Sequence, residues 1–166
     1  AEVRQYQPQA GAVQRPEPGL RLVLAPNPSP MTFHGTNTFL IGEGAVAVID
    51  PGPDDPRHLA AIMAALTPGE SISHIFVTHA HLDHCGRLPL LVKRGFTGEI
   101  VTTAASRELA RVVLLDSASL HEEEAKRNER TAARRGRTDA IEPLYTTLDA
   151  LNTFELFGRT AMYGER

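Results

Sequence analysis

Seven consecutive residues, Thr78-His79-Ala80-His81-Leu82-Asp83-His84, hold three imidazoles and a carboxylate. Neutral imidazole and carboxylate are donors that suit zinc, and iron or manganese less exclusively. In the order His-x-His-x-Asp-His, His79 and His81 stand two apart and can point at one ion from an irregular turn. Asp83 and His84 can address a second ion from the other side of that turn. Two ions about 3.5–4 Å apart clamp the attacking and leaving oxygens of a hydrolytic step. Asp83 is also the catalytic candidate, placed to orient the attacking water or take its proton. The metal candidates are therefore His79, His81, Asp83 and His84, for one or two ions. A polar loop with incidental surface histidines is the bland alternative, and the order, the spacing and the apolar run before the cluster weigh against it.

A cluster this short needs stiff elements around it. Residues 72–77 are a largely apolar, β-like run through Ile72, Ile75, Phe76 and Val77, so a strand ends where the cluster begins. In α/β proteins the carboxyl edge of the sheet is where sites form. Upstream, residues 20–25 read as a strand stopped by Pro26, Pro28 and Pro30. Residues 36–41 and 45–49 pair as a hairpin about Gly42-Glu43-Gly44. The run Ala45-Val46-Ala47-Val48-Ile49 predicts a strand buried on both faces. Asp50-Pro51-Gly52-Pro53 ends it, and Asp54 or Asp55 caps a helix to about Leu66, with His58, Leu59, Ile62, Met63 and Leu66 at helical spacing. Downstream the pattern gives a helix over 88–93, a strand over 99–102, a helix from Ser106 towards Leu120, a helix over 148–156 and a strand over 159–163. Residues 121–137 are charge-dense with both signs interleaved. They read as a solvated helix extension or linker, with nucleic-acid contact the minority reading. Residues 1–19, with Pro8, Pro16 and Pro18, read as an extended lead-in to a domain over 20–166.

At 166 residues, 42% hydrophobic, 22% charged and with net charge -3, the composition is that of one ordinary globular domain. That balance supplies no general electrostatic drive towards nucleic acid. Cys85 is the only cysteine, which excludes an internal disulfide and fits a reducing compartment. No apolar run approaches the ~18 residues of a membrane helix, and the N-terminus has no hydrophobic signal core. The expectation is a cytoplasmic protein with no membrane partner.

With Asp50-Pro51-Gly52 upstream of Thr78-His79-Ala80-His81-Leu82-Asp83-His84, the chain resembles the metallo-β-lactamase superfamily. The resemblance implies an α/β fold, an αββα sandwich with a mononuclear or dinuclear metal site at the sheet edge. It implies that Asp50 acts mainly by orienting the histidine loop. Cys85, directly after His84, could face the metals or be oxidised there, and a small buried residue beside the site is the favoured role. The resemblance then divides. Residues from about 20 to 84 are similar to β-lactamase-like-protein-2 and glyoxalase-II-like hydrolases, through Pro28-Ser29-Pro30-Met31-Thr32, Gly35-Thr36-Asn37-Thr38-Phe39-Leu40 and Val48-Ile49-Asp50-Pro51-Gly52-Pro53. Residues from about 79 to 166 resemble the RNA-processing β-CASP nucleases, through His81-Leu82-Asp83-His84-Cys85-Gly86-Arg87-Leu88-Pro89, Leu115-Asp116-Ser117-Ala118, Pro143-Leu144-Tyr145-Thr146 and Tyr163-Gly164-Glu165. A mosaic junction would fall near residues 79–85.

The resemblance also implies a third histidine, a bridging aspartate and a late histidine beyond the region that matches Tyr163-Gly164-Glu165. The expectation is therefore an incomplete sandwich in which each ion lacks two of its four usual ligands. His121, the one later histidine, reads as an exposed helix residue. His34 reads as a loop residue near the pocket mouth, His58 as part of a helix face, and His74 as strand packing. An incomplete sandwich would expose an apolar face, for which a homo-oligomer is the expected remedy. The expected function is a zinc-dependent hydrolase. Phosphodiesters of RNA or single-stranded nucleic acid are the first substrate class, thioesters or small esters the second. The rivals are a truncated or recombined half-domain that binds zinc without turnover, and a one-iron oxygenase of the persulfide dioxygenase kind.

Overall fold

The computed structural model describes residues 9–53, 55–136, 142–162 and Gly164. They form one seven-stranded sheet whose strands lie side by side in sequence order. β1 (Val13–Glu17), β2 (Leu20–Leu24), β3 (Asn37–Ile41) and β4 (Ala45–Ile49) are an antiparallel meander. From β4 the pairing turns parallel through β5 (Ser71–Phe76), β6 (Glu99–Thr102) and β7 (Phe157–Thr160). Parallel neighbours need crossover connections. α1 (Pro56–Ala65) supplies the first, α2 (Leu82–Cys85) and α3 (Leu88–Lys93) the second, and α4 (Ala104–Arg134) and α5 (Thr147–Phe154) the third.

Cross-strand partners show how the sheet is faced. One face carries Val23, Leu40, Val48, Ile75, Ile100 and Phe157 through the pairs Leu40↔Val48, Val48↔Ile75, Ile75↔Ile100 and Ile100↔Phe157. This face packs in a single core with Leu59 and Ile62 of α1, Leu88 and Leu91 of α3, Leu114 and Ala118 of α4 and Ala150 of α5. The opposite face carries Phe39, Ile41, Ile49, His74 and Phe76, and of these Ile41 and Phe76 are 44% and 38% exposed. The second sheet of an αββα sandwich is not among the described residues. β4 is accordingly buried on one face only: Val46 and Val48 are buried, Ala47 and Ile49 half-buried, and Ala45 exposed. The expected two-faced burial fails because the described helices cover one side.

Two elements differ from the sequence reading, and α4 decides between its two alternatives for the charged stretch. Part of the lead-in pairs with β2 as β1, and Pro16 is accommodated there because β1 lies at the sheet edge. α4 runs without a break to Arg134, so the charged stretch is a helix extension over most of its length. The second half of the histidine cluster is a helical turn, α2, and not open loop. His121 is half-buried, with its ring 5.0 Å from that of buried Tyr145, and not free on the helix surface. Asp54 and Tyr163, named above as a cap and a strand end, lie outside the described residues. Asp55 takes the cap, its carboxylate accepting from the Arg57 N–H at 2.8 Å. Among the described residues no helix is long and apolar enough to cross a membrane.

Candidate metal centre

The candidate site sits at the carboxyl ends of β4 and β5. Asp50 follows β4 directly and turns into the left-handed region, with φ 50. Its N–H still reaches the Phe76 carbonyl at 2.9 Å, so the residue stays tied to β5 while its side chain swings over that strand's end. There the carboxylate accepts from the Thr78 N–H at 2.8 Å and from the Thr78 hydroxyl at 2.7 Å. The same oxygen that takes the hydroxyl lies 2.9 Å from His84 Nδ1. One aspartate therefore holds both the beginning and the end of the histidine cluster.

The ring tautomers follow from these partners. Because the Thr78 hydroxyl donates to Asp50, it can only accept from His79 Nδ1, 2.9 Å away. That leaves His79 Nε2 with a bare lone pair, the form in which imidazole binds a metal. His84 turns Nδ1 to Asp50, and its Nε2 lies 3.3 Å from Asp83 Oδ2. Asp83 Oδ2 also accepts from the Thr36 hydroxyl at 2.8 Å. Thr36 is itself fixed by Asn27, which takes its N–H at 2.9 Å and donates to its hydroxyl at 3.0 Å.

The three rings crowd together. His79 and His84 have centroids 4.0 Å apart, and His79 and His81 meet edge-on at 4.8 Å. Burial first, then the neighbouring His84 and His81, push the His79 pKa below the usual histidine value. Burial also opposes charge on His84, but the Asp50 carboxylate and then Asp83 outweigh it, so its pKa is raised. For Asp50, burial is likewise outweighed by His84 and the Thr78 donors, and its pKa is lowered. Cys85 is fully buried beneath the turn, and burial pushes its thiol up to about 12. It is a packing residue there, not a reactive one.

The structure thus brings His79, His81, Asp83 and His84 into one turn with Asp50 and Cys85 against it. Among the described residues, however, no three histidine, cysteine, aspartate or glutamate side chains gather as a metal-holding group. Asp83 is turned to Thr36 and His84 instead. The donor chemistry still fits zinc, since His79 Nε2 is free, His81 and His84 stand beside it, and a carboxylate is in reach. His34 is exposed and packs edge-on against Phe33 at 4.1 Å, His74 lies on the opposite sheet face 3.8 Å from Glu99, and neither belongs to the cluster.

Sequence reasoning missed Asn27, Thr36 and the Thr78 hydroxyl as parts of this network. Their signal was weak: an asparagine between two prolines, and threonines at strand ends. It also missed the form of the segment between β2 and β3, where Met31 and Phe33 are 88% and 78% exposed. That segment is pinned beside Asp83 through Thr36.

An acidic strand end steering a histidine-rich turn at the next parallel strand defines an α/β protein built around a metal-type loop. The sequence profile of the metallo-beta-lactamase superfamily matches residues 31–162, and the chain belongs to that superfamily. The chain is 37% identical over 83 residues to an atrochrysone carboxyl ACP thioesterase of Cryptosporiopsis sp., covering 49% of this chain and 26% of that protein. It is 39% identical over 84 residues to a beta-lactamase-like protein 2 homolog of Drosophila melanogaster, covering 49% and 29%. The chain spans about a quarter of the length of these curated relatives. A beta-lactamase domain protein from Burkholderia ambifaria shares the fold at TM-score 0.56 and 19% identity, over 74% of this chain and 41% of that one. The metallo-beta-lactamase FIM-1 from Pseudomonas aeruginosa, solved in a mono-zinc form, does so at TM-score 0.51 and 21% identity, over 66% and 49%.

Proposed function

We propose that the chain carries the first ligand group of a zinc-dependent hydrolase that cleaves an acyl thioester or ester. The observation that carries this reading is the tautomer lock on His79, which presents a bare Nε2 beside His81 and His84. His79 and His81 would hold one ion, Asp83 and His84 a second. A bound zinc ion supplies Lewis-acid polarisation and a water that ionises near neutral pH. The chain's own residues do the rest: Asp50 and Thr78 fix the rings, and Asp83 is the carboxylate at hand to hold or move the proton of the attacking water. The thioesterase named among the relatives supports the acyl substrate, as do Met31 and Phe33, which offer apolar contact on the segment pinned next to Asp83.

Phosphodiester hydrolysis is the second reading, and residues 126–135 favour it. Lys126, Arg127, Arg130, Arg134 and Arg135 line the exposed end of α4, opposed within that stretch only by Glu129. The resemblance of the second half to RNA-processing nucleases supports the same reading.

The test is zinc content by elemental analysis, followed by turnover of an acyl thioester and of a bis(nitrophenyl) phosphate. Zinc in the purified chain is expected, with thioester turnover lost to a chelator and to His79→Ala. Phosphodiester turnover with the same two dependences would move the function to the second reading. A zinc-loaded chain that turns over neither would establish the non-catalytic rival, and turnover indifferent to both treatments would sink the metal mechanism.

A further inference from the structure

A buried pair on α1 and β3 has no part in the site as described so far. His58 and Thr38 are both fully buried, and His58 Nε2 lies 2.8 Å from the Thr38 hydroxyl. That hydroxyl is also 2.5 Å from the Asp50 carbonyl, to which it can only donate. Its oxygen must therefore accept from His58, which places the ring proton on Nε2. The result is a one-way chain, His58 N–H to Thr38 O–H to Asp50 C=O. It ends on the residue whose side chain holds Thr78 and His84.

The surroundings are shaped for this ring. Gly52 has φ 89, and a Cβ there would stand 2.4 Å from His58 Cδ2 and 2.5 Å from Nε2. Only glycine leaves the imidazole its place under the turn. Asp50 needs such support, because a left-handed aspartate sits in a sparsely populated backbone region that persists only when its surroundings hold it.

We infer that His58 and Thr38 are positioning residues for the candidate metal centre: they lock Asp50 in its left-handed conformation and thereby aim the carboxylate that orients the histidine turn. Neither residue touches the ligand group, and each acts through Asp50 alone. The inference rests on the proposed zinc site for its functional consequence but not for its structural one.

The test separates the two. Amide hydrogen exchange is followed in the chelator-treated full chain at Thr78, whose N–H donates to the Asp50 carboxylate, and at Ile75, a core amide of β5, the strand that leads to it. Thr38→Val removes the hydroxyl at constant shape, and Thr38→Ser restores it. His58→Leu removes the donor, and His58→Gln keeps an N–H near the position of Nε2. Thr38→Val and His58→Leu are expected to speed Thr78 exchange on the order of 10-fold or more with Ile75 unchanged, and Thr38→Ser and His58→Gln to stay near wild type. If His58→Leu does not fold, the Thr38 pair gives the answer alone. Unchanged Thr78 exchange, or equal acceleration at both amides, overturns the inference. Zinc affinity then reads the functional link: an outer partner of this kind is worth roughly 10–100-fold in metal affinity. A wild-type chain that binds no zinc would refute the proposed function while leaving the exchange result to stand.

Discussion

The burial of His58 makes a quantitative claim about acid stability. The ring is fully buried, and burial first, with the nearby Arg87 guanidinium second, holds its pKa down to about 4 against 6.5 for an ordinary histidine. In the folded chain the imidazole therefore stays neutral over a range in which the unfolded chain takes up a proton there. Where the unfolded state binds more protons, stability rises with pH. Stability is thus lost as pH falls from about 6.5 towards about 4, and above that interval this group contributes no slope. At about 1.4 kcal/mol for each pH unit, the loss across the interval comes to about 3 kcal/mol. That is a large share of the ~5–15 kcal/mol that holds a typical domain together. The assay is urea unfolding of the wild type and of His58→Gln, with chelator throughout, near neutral pH and near the lower end of the interval. Glutamine does not titrate and keeps an N–H donor. Asp50, His79 and His84 titrate in both proteins, so their contributions cancel in the difference. The stability advantage of the wild type is expected to shrink by about 3 kcal/mol on going to the lower pH. A difference that holds constant within about 1 kcal/mol would refute the reasoning, because it would mean that His58 is charged or accessible in the folded chain.

Gly52→Ala drives a Cβ to 2.4 Å from the His58 ring at a φ of 89, and about 2 kcal/mol or more of destabilisation is expected; a urea midpoint equal to wild type would contradict the packing described. Asp50→Asn keeps the shape and removes the charge that faces His84, so zinc affinity should fall roughly 10–100-fold in chelator competition, and an unaltered affinity would remove Asp50 from the network. Cys85, buried and with its thiol at about 12, should resist thiol reagents in the folded chain and react on denaturation, whereas prompt labelling of the native protein would show that the turn opens. The face that carries Ile41, Ile49 and Phe76 should drive association that rises with concentration, read by light scattering and weakened by Ile41→Lys. A monomer at every concentration would rule that out.

Much of the scaffold was legible because each signal was local. Glycine and proline punctuated the strands, helical spacing marked α1, and the histidine run announced the turn after β5. What escaped depended on contacts between segments distant in sequence. Nothing about Thr38 or His58 alone shows that a hydroxyl and an imidazole meet across 20 residues, and Thr36 meets Asp83 across 47. The apolar run of β4 promised two buried faces because composition cannot say which layers are present to cover them. The interleaved charges of residues 121–134 left helix extension and linker both open for a similar reason: they lack an apolar stripe, and periodicity is read from such stripes. Glu, Arg, Lys and Ala have high helix propensity, and that was the signal left to use.

The network around His84 has a consequence that its residues alone determine. Asp50 faces Nδ1 and Asp83 lies near Nε2, so the ring is bracketed by two carboxylates, and this is why its pKa rises despite burial. Only one of those nitrogens can serve as a donor to metal. Nδ1 faces Asp50 at 2.9 Å, and Asp50 is anchored three ways, by Thr78 N–H, by the Thr78 hydroxyl and by its own left-handed backbone. Nε2 is held by the weaker contact, at 3.3 Å, to an Asp83 that Thr36 already shares. Asp83 must therefore turn away from Nε2 before the two side chains can act together as ligands. The contacts are graded to allow this, since the hydrogen bonds that anchor Asp50 lie on the side that must stay fixed and the longer contact lies on the side that must open.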